Sequence, residues 1–268
     1  MRIRTSAAAL TTGAVALTGL TAPTAQADQK PDGFSAFAAK TPGATKITDV
    51  VLNGGKPIVL GPAKKKVTLT FKAADSSGIE LAFGLLWRGK DFDSAKERVS
   101  PDRDEAGCKG GTKVTCTVTF TFDTRMPSAD NGFAGGGWHA AVAALAKDDS
   151  TLVQFKARTT SLLRASQISV NASPEDVKKG KTLTVTGSLN RADWGTKKYT
   201  GYGKQPVKLQ FRKKGAKTFT TVKTVKTDTK GKLRTTVKAT ADGTYRYAFD
   251  GTSTTAPVTN GGDFIDVR

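Results

Sequence analysis

The chain has 268 residues, of which 37% are hydrophobic, 24% are charged and 28 are glycine; this is the balance of a globular protein with room for two ordinary domains, and it excludes whole-chain disorder. Lys and Arg number 42 against 23 Asp and Glu, a formal charge of +19, while there are two Cys and one His. So few His and Cys exclude a zinc centre built from three or four such ligands. A Ser-His-Asp triad would have to use His139, and no Gly-x-Ser-x-Gly turn is present to carry the serine. Gly180-Lys181-Thr182 is not a phosphate loop, because Glu175 stands where the earlier glycine is needed.

Arg2 and Arg4 precede a mild apolar stretch from Ala7 to Leu20, 14 residues long and too short for a comfortable membrane span. It is followed by Ala25-Gln26-Ala27, small residues where a signal peptidase needs them. Residues 1–27 are therefore expected to be a signal peptide cleaved after Ala27, leaving a secreted chain of net charge +17 with no transmembrane segment. In an oxidising compartment Cys108 and Cys116, the only pair, are expected to join. Closing a loop of nine residues gives about 2.5 kcal/mol in the chain-entropy model. The alternative is two free buried thiols.

Residues 28–46, rich in Ala, Lys, Pro and Gly without a period, read as a flexible lead-in. From Ile47 the pattern is β. Val67 to Ala73 alternates apolar with polar, and Val114 to Phe122 places Thr at every second position. That is one buried face and one wet face, with Cys116 on the buried one. Trp138 to Val142 and Leu152 to Phe155 continue the block, and residues 157–167 carry few strong signals and read as a hinge. A second β block starts at Ile168, with strands at Leu183–Val185, Val207–Arg212, Leu233–Lys238 and Tyr245–Phe249. Asp228–Gly231 and Asp242-Gly243 read as hairpin turns with Gly at positive φ. Each block has the size of one immunoglobulin-like sandwich. The expected fold is all-β, two tandem immunoglobulin-like sandwiches over 47–160 and 166–268.

Several stretches strengthen this reading: ISVNASPEDVKKGKTLTVTGSLNRADWG, GYGKQPVKLQFRKKG, TVKTDTKGKLRTTVKA and the closing DFIDVR in the second block, and IVLG, the Cys pair and GGGWHAAVAALAKD in the first. Together they resemble secreted actinobacterial proteins with tandem immunoglobulin-like domains. The resemblance covers nearly all of the mature chain. It implies architecture and export; some members carry a calcium-binding label, with no ligand set that transfers to this sequence.

Three kinds of site are open. The stretch 88–105 holds 11 charged residues in 18, and Asp91, Asp93, Asp102, Asp104 and Glu105 could supply oxygens to Ca²⁺. No EF-hand is present, since Lys96 stands where its glycine belongs, and the interleaved cations argue for a solvated, self-paired loop. Asp148-Asp149 could join such a site only if the loops meet. The same acids could be imagined as a hydrolase pair, but no strand-end pattern supports it. The second block holds 20 basic and 8 acidic residues over 165–268. There Lys208, Arg212, Lys213, Lys214, Lys217, Lys223, Lys226, Lys230, Lys232, Arg234 and Lys238 fall largely in outward strand positions or hairpin tips. Such a surface attracts polyanions; the plain alternative is that Lys and Thr keep the strands soluble. No motif for specific nucleic-acid recognition accompanies the charge. Trp194, Tyr199 and Tyr202 share a loop and are expected in packing rather than stacking on a ligand. His139, next to Trp138, is expected on the opposite, outer face. The function expected is a non-catalytic secreted interaction or structural module, binding anionic cell-envelope polymers through its basic second domain. The alternatives are a Ca²⁺-binding structural or adhesive module using 88–105 and an Asp/Glu hydrolase.

Overall fold

A computed structural model describes residues 43–108, 110–123 and 130–268; the leader, its cleavage position and residues 28–42 of the lead-in lie outside the described residues. Among these there is no α-helix, only strands and two short 3-10 turns, and no helix long and apolar enough to cross a membrane.

The first block runs through β1 (Lys46–Leu52), β2 (Ile58–Leu60), β3 (Lys65–Arg88), β4 (Glu97–Val99), β5 (Gly111–Phe122), β6 (Gly135–Ala146) and β7 (Thr151–Arg164). β3 serves two sheets. Its first half pairs with β1 and β5, and its second half with β4 and β6. The register slips between Ala74 and Ile79, and Gly78 takes φ +96, a conformation glycine reaches without strain, so the strand can turn from one sheet to the other. β6 pairs with β7, and β7 with β2 in parallel.

The second block repeats the diagram. β8 (Ser166–Ser173), β10 (Thr182–Asp193) and β14 (Lys232–Lys238) form one sheet, with β11 (Lys198–Gly201) beside the end of β10. β13 (Thr220–Lys226), β12 (Pro206–Lys213), β15 (Gly243–Phe249), β17 (Asp263–Val267) and β9 (Asp176–Val177) form the other; β9 is parallel to β17, and β16 (Val258–Thr259) adds to β15. Two sheets of this order, each with a short parallel strand beside the last one, make an immunoglobulin-like sandwich. The fold is all-β, two such sandwiches in tandem.

Period-two burial drives each block. In β5 the buried positions are Val114, Cys116, Val118, Phe120 and Phe122, the face that the alternating Thr pattern designates. Cys108 and Cys116 are joined, Cα to Cα 4.4 Å. In the second core Tyr247 is fully buried and its hydroxyl donates across the sandwich to Val185 O at 3.1 Å; burial pushes its pKa up to about 12.

The structure adds one stretch that the sequence reading did not assign and corrects two expectations. The stretch Ile79–Trp87, without alternation, is the second half of β3. It is apolar on both faces because Trp87, Ala141, Ala143 and Leu145 form a second cluster on the outer side of the sheet, closed by Phe92. His139 points to that side as expected, but its ring lies 4.6 Å from Trp87 and Nδ1 is 3.1 Å from Thr159 Oγ1; it is half-buried, and burial lowers its pKa. The turns at Asp228–Gly231 and Asp242-Gly243 are not hairpins. Each carries the chain from one sheet to the other, since β14 pairs with β10 and not with β13 or β15. Turn residues encode a reversal and do not specify whether the flanking strands pair.

The expected hinge at 157–167 is a joint instead. β7 runs to Arg164 and β8 starts at Ser166. Arg164 is 6% exposed; its N–H donates to Thr254 O and its O accepts from Ala256 N. Its Nε donates to Ala192 O at 2.6 Å, and Nη2 lies 3.6 Å from Asp193. Trp194 packs into the core of the first block, 2% exposed, with its N–H donating to Asn131 Oδ1 and its Nε1 to Leu60 O. Truncating a buried Trp costs about 3–5 kcal/mol. Trp194→Ala is therefore expected to destabilise the first block by that amount. Fluorescence of the remaining Trp87 and Trp138 during denaturant unfolding reads it; a loss confined to the second block, followed by tyrosine signals, would contradict the joint.

Where the chain enters the first block, Asp75 is buried. Its carboxylate accepts from Ser77 N and Oγ, Thr45 Oγ1 and Ser150 Oγ at 2.8–3.2 Å. The Ser77 backbone N–H, then its hydroxyl, hold the Asp75 pKa below the ordinary carboxylate value. A carboxyl with a lowered folded pKa adds stability above its unfolded value, near 4, and loses it as pH falls through the folded one. Asp75→Asn should be less stable at neutral pH and should lose less stability than wild type on acidification below about pH 4. Parallel acid limbs in pH-dependent melts would remove Asp75 from this role.

Candidate functional site

The basic residues of the second block divide between the outer faces of its two sheets. Along β12 Val207, Leu209 and Phe211 turn inward, so Lys208, Gln210 and Arg212 turn outward, opposite Ala248, Arg246 and Thr244 of β15. On this face part of the charge is answered. Lys208 pairs with Asp250 at 2.6 Å and Lys214 with Asp242 at 3.5 Å. Asp242 is held below the ordinary carboxylate range, first by the Val267 N–H, with Lys214 adding. Arg246 and Arg212 stack on Phe219, 3.7 and 4.7 Å from its centre, and Arg246 Nε donates to Gln210 Oε1. Lys226 is exposed on the same side, and Lys213 and Lys217 flank the β12–β13 hairpin.

The outer face of the β8-β10-β14 sheet is different. Leu233 faces the core, so Lys232, Arg234, Thr236 and Lys238 face out, all four exposed. Residues two apart on a strand are about 6.8 Å apart on one face, and neighbouring strands about 4.8 Å. The register sets Lys232 beside Ser188, Arg234 beside Thr186, Thr236 beside Thr184 and Lys238 beside Thr182. On β10's other edge Ser188, Thr186 and Thr184 meet Ser169, Asn171 and Ser173. The face is a column of cations next to two columns of hydroxyl and amide groups, and no Asp or Glu occurs in 166–173, 182–192 or 229–241. Lys238 Nζ donates to Thr182 Oγ1 at 3.0 Å; among the described residues no ion pair engages Lys232, Arg234 or Lys238. Lys230 sits in the turn below, its backbone N–H held by Asp228 Oδ1. Lys223 belongs to neither face. Its Nζ spans the seam between the sheets, donating to Thr235 Oγ1 and Thr236 O at 2.9 and 2.7 Å.

The eleven predicted cations are thus not one surface. Lys232, Arg234 and Lys238 come together, Lys208 and Lys214 are neutralised by acids, and Arg212 is used in stacking. The sequence reading missed the partners: the Thr182–Ser188 column, detectable from the same alternation that marks Leu183 and Val185 as buried, and Arg246, flanked by inward Tyr245 and Tyr247. Trp194, Tyr199 and Tyr202 are packing residues, as expected. Arg191 lies 4.0 Å over Tyr202, and Tyr202 meets Phe249 edge-on.

The acidic loop does not gather its carboxylates. Asp102 is engaged with Thr121, accepting from its N–H and hydroxyl at 2.8 Å. The loop is anchored through Phe92, which packs on Trp87 and Phe155 and lies under Arg98 at 4.5 Å. Among the described residues no group of three or more His, Cys, Asp or Glu is placed to hold a metal ion. The structure therefore does not assemble Asp91, Asp93, Asp102, Asp104 and Glu105, with or without Asp148 and Asp149, into such a group among the described residues.

No family model matches the chain, and no curated protein does. Among solved structures it is similar to the D0-D1 domain of intimin at 14% identity and a TM-score of 0.27, covering 82% of this chain and 98% of that one. It is similar to domains A168-A170 of titin at 13% identity and a TM-score of 0.28, covering 85% and 68%. It is also similar to dimeric latent PorU from Porphyromonas gingivalis at 11% identity and a TM-score of 0.29, covering 90% of this chain but 21% of that one. The fold assignment rests on the strand pairing given above.

This placement of the loop acids has a direct consequence. Melting temperatures in millimolar Ca²⁺ and in excess chelator should coincide, because an ion bound only by the native state raises the midpoint. A higher midpoint in Ca²⁺, abolished by Asp102→Asn or Asp104→Asn, would contradict the placement of these residues.

Proposed function

We propose that the protein is a secreted, non-catalytic binding module that holds an anionic cell-envelope polymer on the outer face of the β8-β10-β14 sheet of its second sandwich. The observation that carries this reading is a face whose strands carry no acid before Asp193, Asp228 standing only at the face's end on the Lys230 and Lys232 amides: Lys232, Arg234 and Lys238 are aligned on one strand beside Thr182, Thr184, Thr186 and Ser188. Ammonium and guanidinium groups on a flat sheet at regular spacing offer a linear polyanion several weak contacts at once, and the hydroxyl columns can bond its ester or sugar oxygens. The opposite face has more cations, but two of its lysines are paired with Asp250 and Asp242. The disulfide supports an oxidising compartment, and the joint at Arg164 and Trp194 would present the face on a stiff two-domain unit.

The test compares two triple variants of equal net charge: Lys232→Glu/Arg234→Glu/Lys238→Glu and Lys208→Glu/Lys213→Glu/Lys217→Glu. On immobilised poly(glycerol phosphate), the first should weaken binding at least tenfold and elute at much lower salt, and the second should remain near wild type. Equal losses would reduce the effect to net charge and overturn the assignment to this face.

A further inference from the structure

In the first block the free edge of β5 is covered by the chain itself. Asp102 N donates to Thr119 O, Gly107 N to Thr117 O and Thr117 N to Gly107 O. The Asp102 carboxylate reaches Thr121, and the Cys108–Cys116 bond staples the segment down. An extended, acidic stretch thus lies on that edge. The second block has no such stretch, because its chain passes from β13 to β14 through the short turn of residues 227–231.

The backbone shows which groups this leaves at the edge of β14. Gly231 O accepts from Leu189 N, and Ala239 N donates to Lys181 O. The odd-numbered residues therefore turn toward β10, and Arg234, Thr236 and Lys238 turn their amide groups to the open side. There Lys223 Nζ holds Thr236 O at 2.7 Å. Below it the two sheets part in an open groove of about 410 Å³, lined by Phe211, Val222, Val237 and Tyr245 with Lys223 and Lys238 at its rim. Val222 is 46% exposed.

We propose that this edge is a docking site for an extended segment of a partner protein in which apolar and acidic residues alternate, added as a further strand beside β14. Strand periodicity decides the chemistry. One set of side chains would enter the apolar groove, and the next set would stand on the acid-free face beside Lys232, Arg234 and Lys238, where opposite charges across strands stabilise pairing. Lys223 guards the edge while it is empty; on docking it leaves Thr236 O, whose carbonyl accepts from the incoming strand, and meets a carboxylate. A second copy of this chain is disfavoured as occupant, because edge-to-edge pairing would set Lys232, Arg234 and Lys238 against themselves. The inference rests on the anion-binding reading of the face and adds to it a sequence pattern and a hydrogen-bonded edge.

The test uses the full chain and two capped hexapeptides of identical composition, one alternating Val and Asp, the other three Val followed by three Asp. Calorimetry should show the alternating peptide binding at least tenfold tighter, with slowed amide exchange at Arg234, Thr236 and Lys238. Thr236→Pro, which removes an edge N–H not used by β10, should abolish the difference. Should that variant fail to fold, Val222→Asp should weaken the alternating peptide tenfold and leave retention on poly(glycerol phosphate) unchanged. Equal binding of the two peptides would overturn the docking site and leave the polymer reading standing. No binding of either peptide, or self-association of the free chain through β14, would also overturn it.

Discussion

Two sheets pressed together bury one face each, but they leave strand edges whose amide groups have no partner within the sheet. Nearly every distinctive feature of this molecule is an answer to that constraint. The long strand β3 turns a corner at Gly78 and joins both sheets of the first block in one continuous run. The segment 102–107 lies along β5 and is fastened by the disulfide. Short parallel strands, β2 and β9, cover the last strand of each block. On the edge of β14 a lysine side chain stands where the first block lays a segment of chain along β5.

The distribution of charge follows the same geometry. Acids are spent where they fasten something: Asp75 at the chain entry, Asp102 on β5, Asp193 beside Arg164 and Asp242 at the Val267 N–H. The sheet β8-β10-β14 contains only Asp193, at its joint end. The β8-β10-β14 face is therefore distinguished by the removal of acids rather than by an unusual number of lysines. The joint matters to the same picture. Because Trp194 sits in the core of the first block, the two sandwiches share apolar packing, and the cationic face has a fixed relation to its neighbour.

Much of this was legible in the amino-acid sequence. Val114–Phe122 announces its buried face by alternation, places Cys116 inside and so foretells the disulfide. The tandem arrangement follows from the recurrence of such strands. What alternation does not encode is partnership across the chain. Ile79–Trp87 is apolar on both sides because a loop residue, Phe92, folds back over it, and nothing local to the run signals that. Asp228–Gly231 reads as a turn correctly, while its neighbours belong to different sheets. Alternation marks most of the eleven cations as outward or at turn tips, yet outward has two meanings in a sandwich, and only the register separates Lys232 from Lys208. Arg164 and Trp194 lie in stretches with weak patterns, since a joint is built from single contacts between distant residues rather than from a repeat.

The most direct measurement is a map of amide shifts in the isotopically labelled chain titrated with poly(glycerol phosphate) at moderate salt. The account predicts saturable shifts concentrated at Thr182–Ser188 and Lys232–Lys238, with Lys208, Arg212 and Lys214 little affected. Shifts spread evenly over both faces, or centred on Arg212 and Arg246, would contradict it.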